Sequence, residues 1–386
     1  MKNYISYIFI FSFIFLLLYN CKPQQVQKST QSYKIEELRK LYSSGNSILW
    51  PKPNLHPEAI PHFQELGTLP EVVYPADNQY SKDKEQLGKM LFFDPRLSKS
   101  QQIACASCHD PELAWTDNKT LSFGHNRQTG TRNAMTILNV AFAKNPFWEG
   151  RAKDLENQAL MPIQDPKEMN EHIDLAVEKI ANIKGYESLF EKAFGDKNVT
   201  KERIGKAIAT FERGIKSGTT KFDRFINGEH TLLSDDELMG LHLFRTKAQC
   251  INCHNGAYFS NNQFINDGTA LLGSKQEDLG RYLVTNNPED AGKFRVPTLR
   301  EVLRTGPWMH NGAFTPLRDV LTFYNAGNPE IATKTSTIHN GRTLVSKKSN
   351  MLKPLHLTTK EMEQIEAFLG TLSSRMRRMA PPTLPE

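Results

Sequence analysis

The chain has 386 residues, 48 of them basic and 42 acidic, for a formal net charge of +6. No long basic run and no interleaving of aromatic with basic residues accompanies that charge. It reads as a mildly basic surface and argues against a nucleic-acid partner, while the length suits two domains.

The N-terminus carries one charge, Lys2, followed by an apolar run from Ile5 to Tyr19. Residues 1–20 read as a signal peptide, too short to span a bilayer comfortably. The run ends in Leu17-Leu18-Tyr19-Asn20-Cys21, which resembles a loose lipobox with Asn20 where a small residue is usual. Either Cys21 is lipidated and anchors the chain to a membrane, or the leader is cleaved plainly, or it stays as an anchor. Each reading places the rest of the chain outside the cytoplasm, in the periplasm. A Gln- and Ser-rich tether runs from Lys22 to Lys34. The Pro-rich segment 46–80 has no clear periodicity and reads as an irregular arm on the globular body.

A repeat follows. Leu87-Gly88-Lys89-Met90-Leu91-Phe92 precedes Cys105-Ala106-Ser107-Cys108-His109, and Met239-Gly240-Leu241-His242-Leu243-Phe244 precedes Cys250-Ile251-Asn252-Cys253-His254. Each is an apolar-periodic helix running into a C-x-x-C-H loop. Such a loop is the attachment signal of haem c: two thiols bind the vinyl groups, and the adjacent His109 or His254 ligates iron. A zinc ribbon would need its second pair roughly 15–20 residues away, and these pairs are far more widely separated. A redox dithiol does not require the His. Between the motifs, helices are expected at about 153–160, 172–183, 186–194 and 200–215. Ser234-Asp235-Asp236-Glu237 and Thr358-Thr359-Lys360-Glu361 match capping boxes. The second opens a helix whose Ile365, Phe368, Leu369 and Leu372 share one face. Long alternating strand patterns are scarce. The chain therefore reads as all-α, with two cytochrome c-like haem domains related by duplication. The boundaries are 1–20 leader, 21–75 tether and arm, 76–228 first haem domain, 229–376 second haem domain and 377–386 tail. The join falls near Gly218–Leu233.

Several stretches resemble one family. They are Gly130-Thr131-Arg132-Asn133, Phe147-Trp148-Glu149-Gly150-Arg151, Gln158 through Glu168, Val296-Pro297-Thr298-Leu299-Arg300 and Met309-His310-Asn311-Gly312. With the two haem motifs, they resemble the bacterial di-haem cytochrome c peroxidases and the related MauG-type enzymes from about Leu87 to Leu372. The resemblance implies haems facing a common interface, with a peroxidatic haem at Cys105/Cys108 and an electron-transfer haem at Cys250/Cys253. Glu168 matches the distal carboxylate that moves a proton during cleavage of hydrogen peroxide, and Gln158 matches its polar companion. A buried carboxylate suits that task because desolvation raises its pKa toward neutrality. Trp148 matches the aromatic residue between the haems. His125 matches the distal His that ligates the resting peroxidatic haem; Asn126 and Arg127 depart from the pattern, where Gly and Trp are frequent. At the second haem Tyr324 falls where peroxidases place Met and MauG-type enzymes place Tyr, with Met309 and Met351 as competitors. The resemblance also implies a calcium ion held by the Asn133 side chain and the Thr305 and Pro307 carbonyls, with waters.

The expected activity is reduction of hydrogen peroxide to water, with electrons from a small donor, a cytochrome c or cupredoxin. The alternatives are MauG-type oxidation of side chains on a partner protein, for which Tyr324 speaks, and a non-catalytic carrier or sensor, against which Gln158 and Glu168 speak. Homodimers are common in the family, and no sequence feature decides for one here.

Overall fold

In the computed structural model, the described residues are Tyr33–Pro329 and Thr335–Glu386. The expected leader 1–20, Cys21 and nearly all of the tether lie outside them. Residues Ile35–Glu386 pack as one unit. The helices are α1 (Ile35–Tyr42), α2 (Lys82–Phe93), α3 (Leu155–Gln158), α4 (Met161–Gln164), α5 (Ile173–Ala181), α6 (Lys184–Phe194), α7 (Lys201–Gly214), α8 (Lys221–Ile226), α9 (Asp235–Arg245), α10 (Tyr282–Thr285), α11 (Leu317–Asn325) and α12 (Thr359–Gly370).

Their starts follow from orphaned first-turn N–H groups, which short polar side chains can satisfy. Ser81 accepts from Lys84 N, Asp154 from Asn157 N and Thr200 from Arg203 N. The expected capping boxes form at Ser234/Glu237 and Thr358/Glu361, and another forms at Thr220/Asp223. The helix expected at 153–160 begins only after the Asp154 cap. A second turn, α4, carries Pro162 near its start, where a missing N–H does no harm.

Two helix crossings organise the core. α2 crosses α7 at Gly88, and α9 crosses α12 at Gly240. A Cβ on Gly88 would lie 1.9 Å from the Ala207 carbonyl oxygen, and one on Gly240 would lie 1.9 Å from that of Gln364. Only glycine lets backbones approach so closely. One turn on, Phe211 and Phe368 close the two contacts. Phe211 packs with Phe92 and Trp115; Phe368 packs with Phe222, Phe244 and Phe259. Burying each such ring stabilises the fold by about 1.5–3 kcal/mol.

The arm lies over the second motif. Asn54 N donates to Arg245 O, His56 N to the Asn252 side chain and Gly256 N to Gln64 O. Fully buried Arg245 pairs with Glu65 and donates to Pro51 O and the Tyr42 hydroxyl. At the other end of the chain, Glu386 O accepts from Gly185 N, which brings the tail onto α6.

The fold is helix-rich, as expected, with two short antiparallel ladders among the described residues. β1 (Phe264–Ile265) pairs with β2 (Phe294–Arg295), Phe264 opposite Arg295. β3 (Ser336–His339) pairs with β4 (Arg342–Val345) through Asn340-Gly341, both with positive φ. An Asn-Gly pair between strand-like runs is a strong hairpin signal, and the sequence reading passed over it. The two-residue ladder is too short to carry a periodicity and exists only through tertiary pairing.

Candidate active site

Both C-x-x-C-H segments fold alike. Cys105–Ser107 and Cys250–Asn252 are single 3-10 turns. His109 N donates to Cys105 O (3.0 Å) and His254 N to Cys250 O (2.9 Å). His109 Nδ1 lies 3.2 Å from Trp115 O, and His254 Nδ1 lies 3.2 Å from Phe259 O. A proton held on Nδ1 by a carbonyl leaves Nε2 as the free donor for a metal. Burial lowers the pKa of both imidazoles, that of His254 to about 4, which favours the neutral form that can ligate a metal.

Each motif lines its own cavity. The first is bordered by Cys105, Cys108, His109, Gln158 and Glu168, and the second by Cys250, Cys253, His254 and Tyr324. Asn133, Met135, Thr136, Val140, Trp148 and Arg295 line both, so they form the wall between them. Trp148 is held there by its indole N–H, which donates to Asn133 O (2.9 Å). Its ring meets His310 edge-on, and His310 stacks on Phe294 at 3.7 Å.

In the first cavity, burial raises the Glu168 pKa to about 7, Asp165 adds to the rise and the Arg151 cation opposes it. The Glu168 backbone oxygen accepts from His125 N (2.7 Å). That contact needs Gly124, because a Cβ there would lie 2.0 Å from Lys167 O. His125 itself is not among the residues lining the cavity, and its Nδ1 is buried without a partner among the described residues. Glu212, on α7, also lines this cavity, with a buried, unpartnered Oε2. Burial raises its pKa to about 8. The sequence reading missed it, although it lies four residues after Ile208 on the buried face of an amphipathic helix.

In the second cavity Tyr324, Met309 and Met351 all line the space, as do Asn133, Thr305 and Pro307. Burial and the Asp267 carboxylate push the Tyr324 phenol well above its usual range, and the Cys253 and Cys250 thiols add to the rise. Asn133 Nδ2 donates to Lys119 O and Thr120 O.

Comparison with known proteins identifies the family. A family model described as di-haem cytochrome c peroxidase matches residues 82–231. The cytochrome c551 peroxidase of Nitrosomonas europaea is 42% identical over 240 residues, which is 62% of this chain and 72% of that protein. The methylamine utilization protein MauG of Methylorubrum extorquens is 35% identical over 330 residues, 85% of this chain and 86% of that protein. The chain belongs to the di-haem cytochrome c peroxidase family. A crystal structure of a MauG-like protein associated with microbial copper homeostasis shares the fold, with a TM-score of 0.70 and 29% identity over 80% of this chain and 95% of that one.

As a member of this family the chain carries two haem c groups, and its residues fit them. Each cavity presents two thiols and one imidazole from a single five-residue motif. Among the described residues none of these four cysteines is spent on a disulfide. Burial raises the pKa of all four thiols, Cys108 to about 11 and Cys250 and Cys253 to about 12. Gln158 and Glu168 are polar side chains in the lining of the first cavity, which His109 also borders.

Proposed function

We propose that this chain reduces hydrogen peroxide to water in the periplasm, taking two electrons and two protons per peroxide. The electrons come from a small cytochrome c or cupredoxin. The observation that carries the reading is Glu168: a buried carboxyl with a pKa near neutrality in the cavity of Cys105, Cys108 and His109. Bound haem would supply peroxide binding and the redox equivalents at that cavity. The chain's own part is proton handling. Glu168 accepts the proton from one peroxide oxygen and returns it to the departing one, and the Gln158 amide orients the pair by hydrogen bonding. Trp148, in the wall of both cavities, offers a π-system between them. The paired glycine crossings and the matching motif turns support two duplicated haem domains meeting at that wall.

His125 is read as the group that closes the first site at rest. Its unpartnered Nδ1 and its loop's contact with Glu168 support that. Asn133, Thr305 and Pro307, which share one cavity lining, are read as calcium ligands. Peroxide consumption with a reduced donor tests the activity, and EPR of the oxidised and half-reduced protein tests the two site assignments. A low-spin first haem should become high-spin on half-reduction, and removing calcium with a chelator should impair that conversion. A protein that is high-spin when fully oxidised would remove His125 from this role.

MauG-type oxidation of a partner protein is the second reading, and Tyr324 favours it. Its phenol sits close enough to Cys250 and Cys253 to feel both thiols. A bound metal reverses the pKa logic of burial and favours the anion. Ferric wild-type protein should therefore lack the long-wavelength charge-transfer band of methionine-ligated haem, and Tyr324→Met should gain it. The band in wild-type spectra would reassign the ligand to Met309 or Met351. Lipidation of Cys21 and a homodimer remain part of the proposal; mass spectrometry of the exported protein and its sedimentation test them.

A further inference from the structure

Among the described residues, several arginines with little exposure fall into two kinds. Arg132 pairs with Asp278, Arg213 with Glu156, Arg245 with Glu65 and Arg300 with Asp223. Arg295 is 4% exposed and has no carboxylate partner among the described residues. Its Nε donates to Phe147 O (3.3 Å) and its Nη2 lies 3.3 Å from Met135 Sδ. The Tyr258 hydroxyl is also beside it. These are neutral groups. Nη1 is buried and donates to nothing among the described residues. A buried guanidinium ordinarily has a hydrogen-bonded counter-ion, because stripping its water without one is costly. Burial accordingly works against its charge here.

Position says where the missing anion comes from. Arg295 lines both haem cavities, and its backbone N donates to Trp148 O (2.7 Å). It is thus fixed in the wall between the two sites. Each haem c brings two propionate carboxylates into its cavity, and the forked guanidinium matches a carboxylate. We propose that Arg295 binds a haem propionate at the shared wall, and that its charge holds up the reduction potential of that haem. The sign follows from electrostatics. A fixed cation nearby disfavours the more positive ferric state, so its loss lowers the potential.

The inference rests on both haems being attached, so haem content per chain is measured first. Fewer than two haems in the wild-type protein would overturn the two-haem reading itself. With two present, redox titration of Arg295→Gln should show at least one potential shifted downward, with Arg295→Lys nearer to wild type. Unchanged potentials for both haems in Arg295→Gln overturn the proposal. If the Gln variant does not fold, the Lys variant still decides. Lysine keeps the charge but cannot reproduce the fork, so resonance Raman should show a shifted propionate bending mode. An unshifted mode there overturns the contact.

Discussion

Replacing Glu168 with Gln is expected to cut peroxide turnover by about 10²–10⁴-fold, the usual contribution of general acid–base catalysis, with both haems still attached. The substitution keeps the shape and a hydrogen-bonding end, so the surrounding Asp165 and Arg151 keep their places. What it removes is a group that accepts a proton and gives it back. The pH behaviour separates this role from a packing role. The folded pKa is raised from 4.5 to about 7, and the base form is the one that accepts the peroxide proton. Wild-type turnover should rise as pH increases through about 7, and the residual turnover of Glu168→Gln should not. Stability runs the opposite way. A carboxyl whose folded pKa is raised stabilises the fold fully below its unfolded value, and loses that contribution as pH rises through the folded one. Glu168 thus costs stability between about pH 4.5 and 7, and the Gln variant should lose less stability than wild type across that window. Full turnover in Glu168→Gln, measured with a saturating reduced donor, would sink the assignment.

Gly240→Ala, or its counterpart Gly88→Ala, should be strongly destabilising. The added Cβ would sit 1.9 Å from a backbone carbonyl oxygen in either case. A flexible side chain could swing away from such a clash; Gln364 O and Ala207 O cannot move without shifting α12 or α7. Overpacking ordinarily costs about 1–3 kcal/mol, and a backbone obstacle puts these two variants at or above the top of that range. At about 2–4 °C per kcal/mol for 150–250 residues, and less for a larger unit, thermal denaturation should show the melting point lowered by several degrees. Gly67→Ala is the control, because nothing lies within 4 Å of a Cβ there. Equal melting points for Gly240→Ala and Gly67→Ala would refute the close crossing.

Legibility of the site in the sequence followed the range of the interactions. The helix starts at Lys82, Lys201, Asp235 and Thr359 follow from caps within a few residues, so the capping boxes and most helix positions could be read directly. The helix carrying Tyr324 was not anticipated as such, because Leu317–Asn325 has only Pro316 before it and no side-chain cap. Glu212 was passed over for a different reason. A glutamate on a helix is ordinarily a solvated residue, and only its phase relative to Ile208 and Phe211 marks it as buried. Arg151 closes the family-like stretch Phe147–Arg151, yet its influence on Glu168 depends on how two loops meet.

By itself, the sequence determined the chemistry that is contiguous in the chain. Two thiols and an imidazole within five residues commit each C-x-x-C-H turn to haem c whatever surrounds it, because the ligands need no help from distant residues to converge. What only the tertiary structure decided is the wall between the two cavities. Trp148 and Arg295 are adjacent there through one backbone hydrogen bond across more than a hundred residues; the stretch Phe147–Arg151 points to Trp148 in the sequence, but no local pattern announces Arg295. Arg295 reads in the sequence as any strand arginine. Its lack of a carboxylate partner among the described residues is a property of everything packed around it, since burial and pairing are set by the whole fold and not by neighbours in the chain.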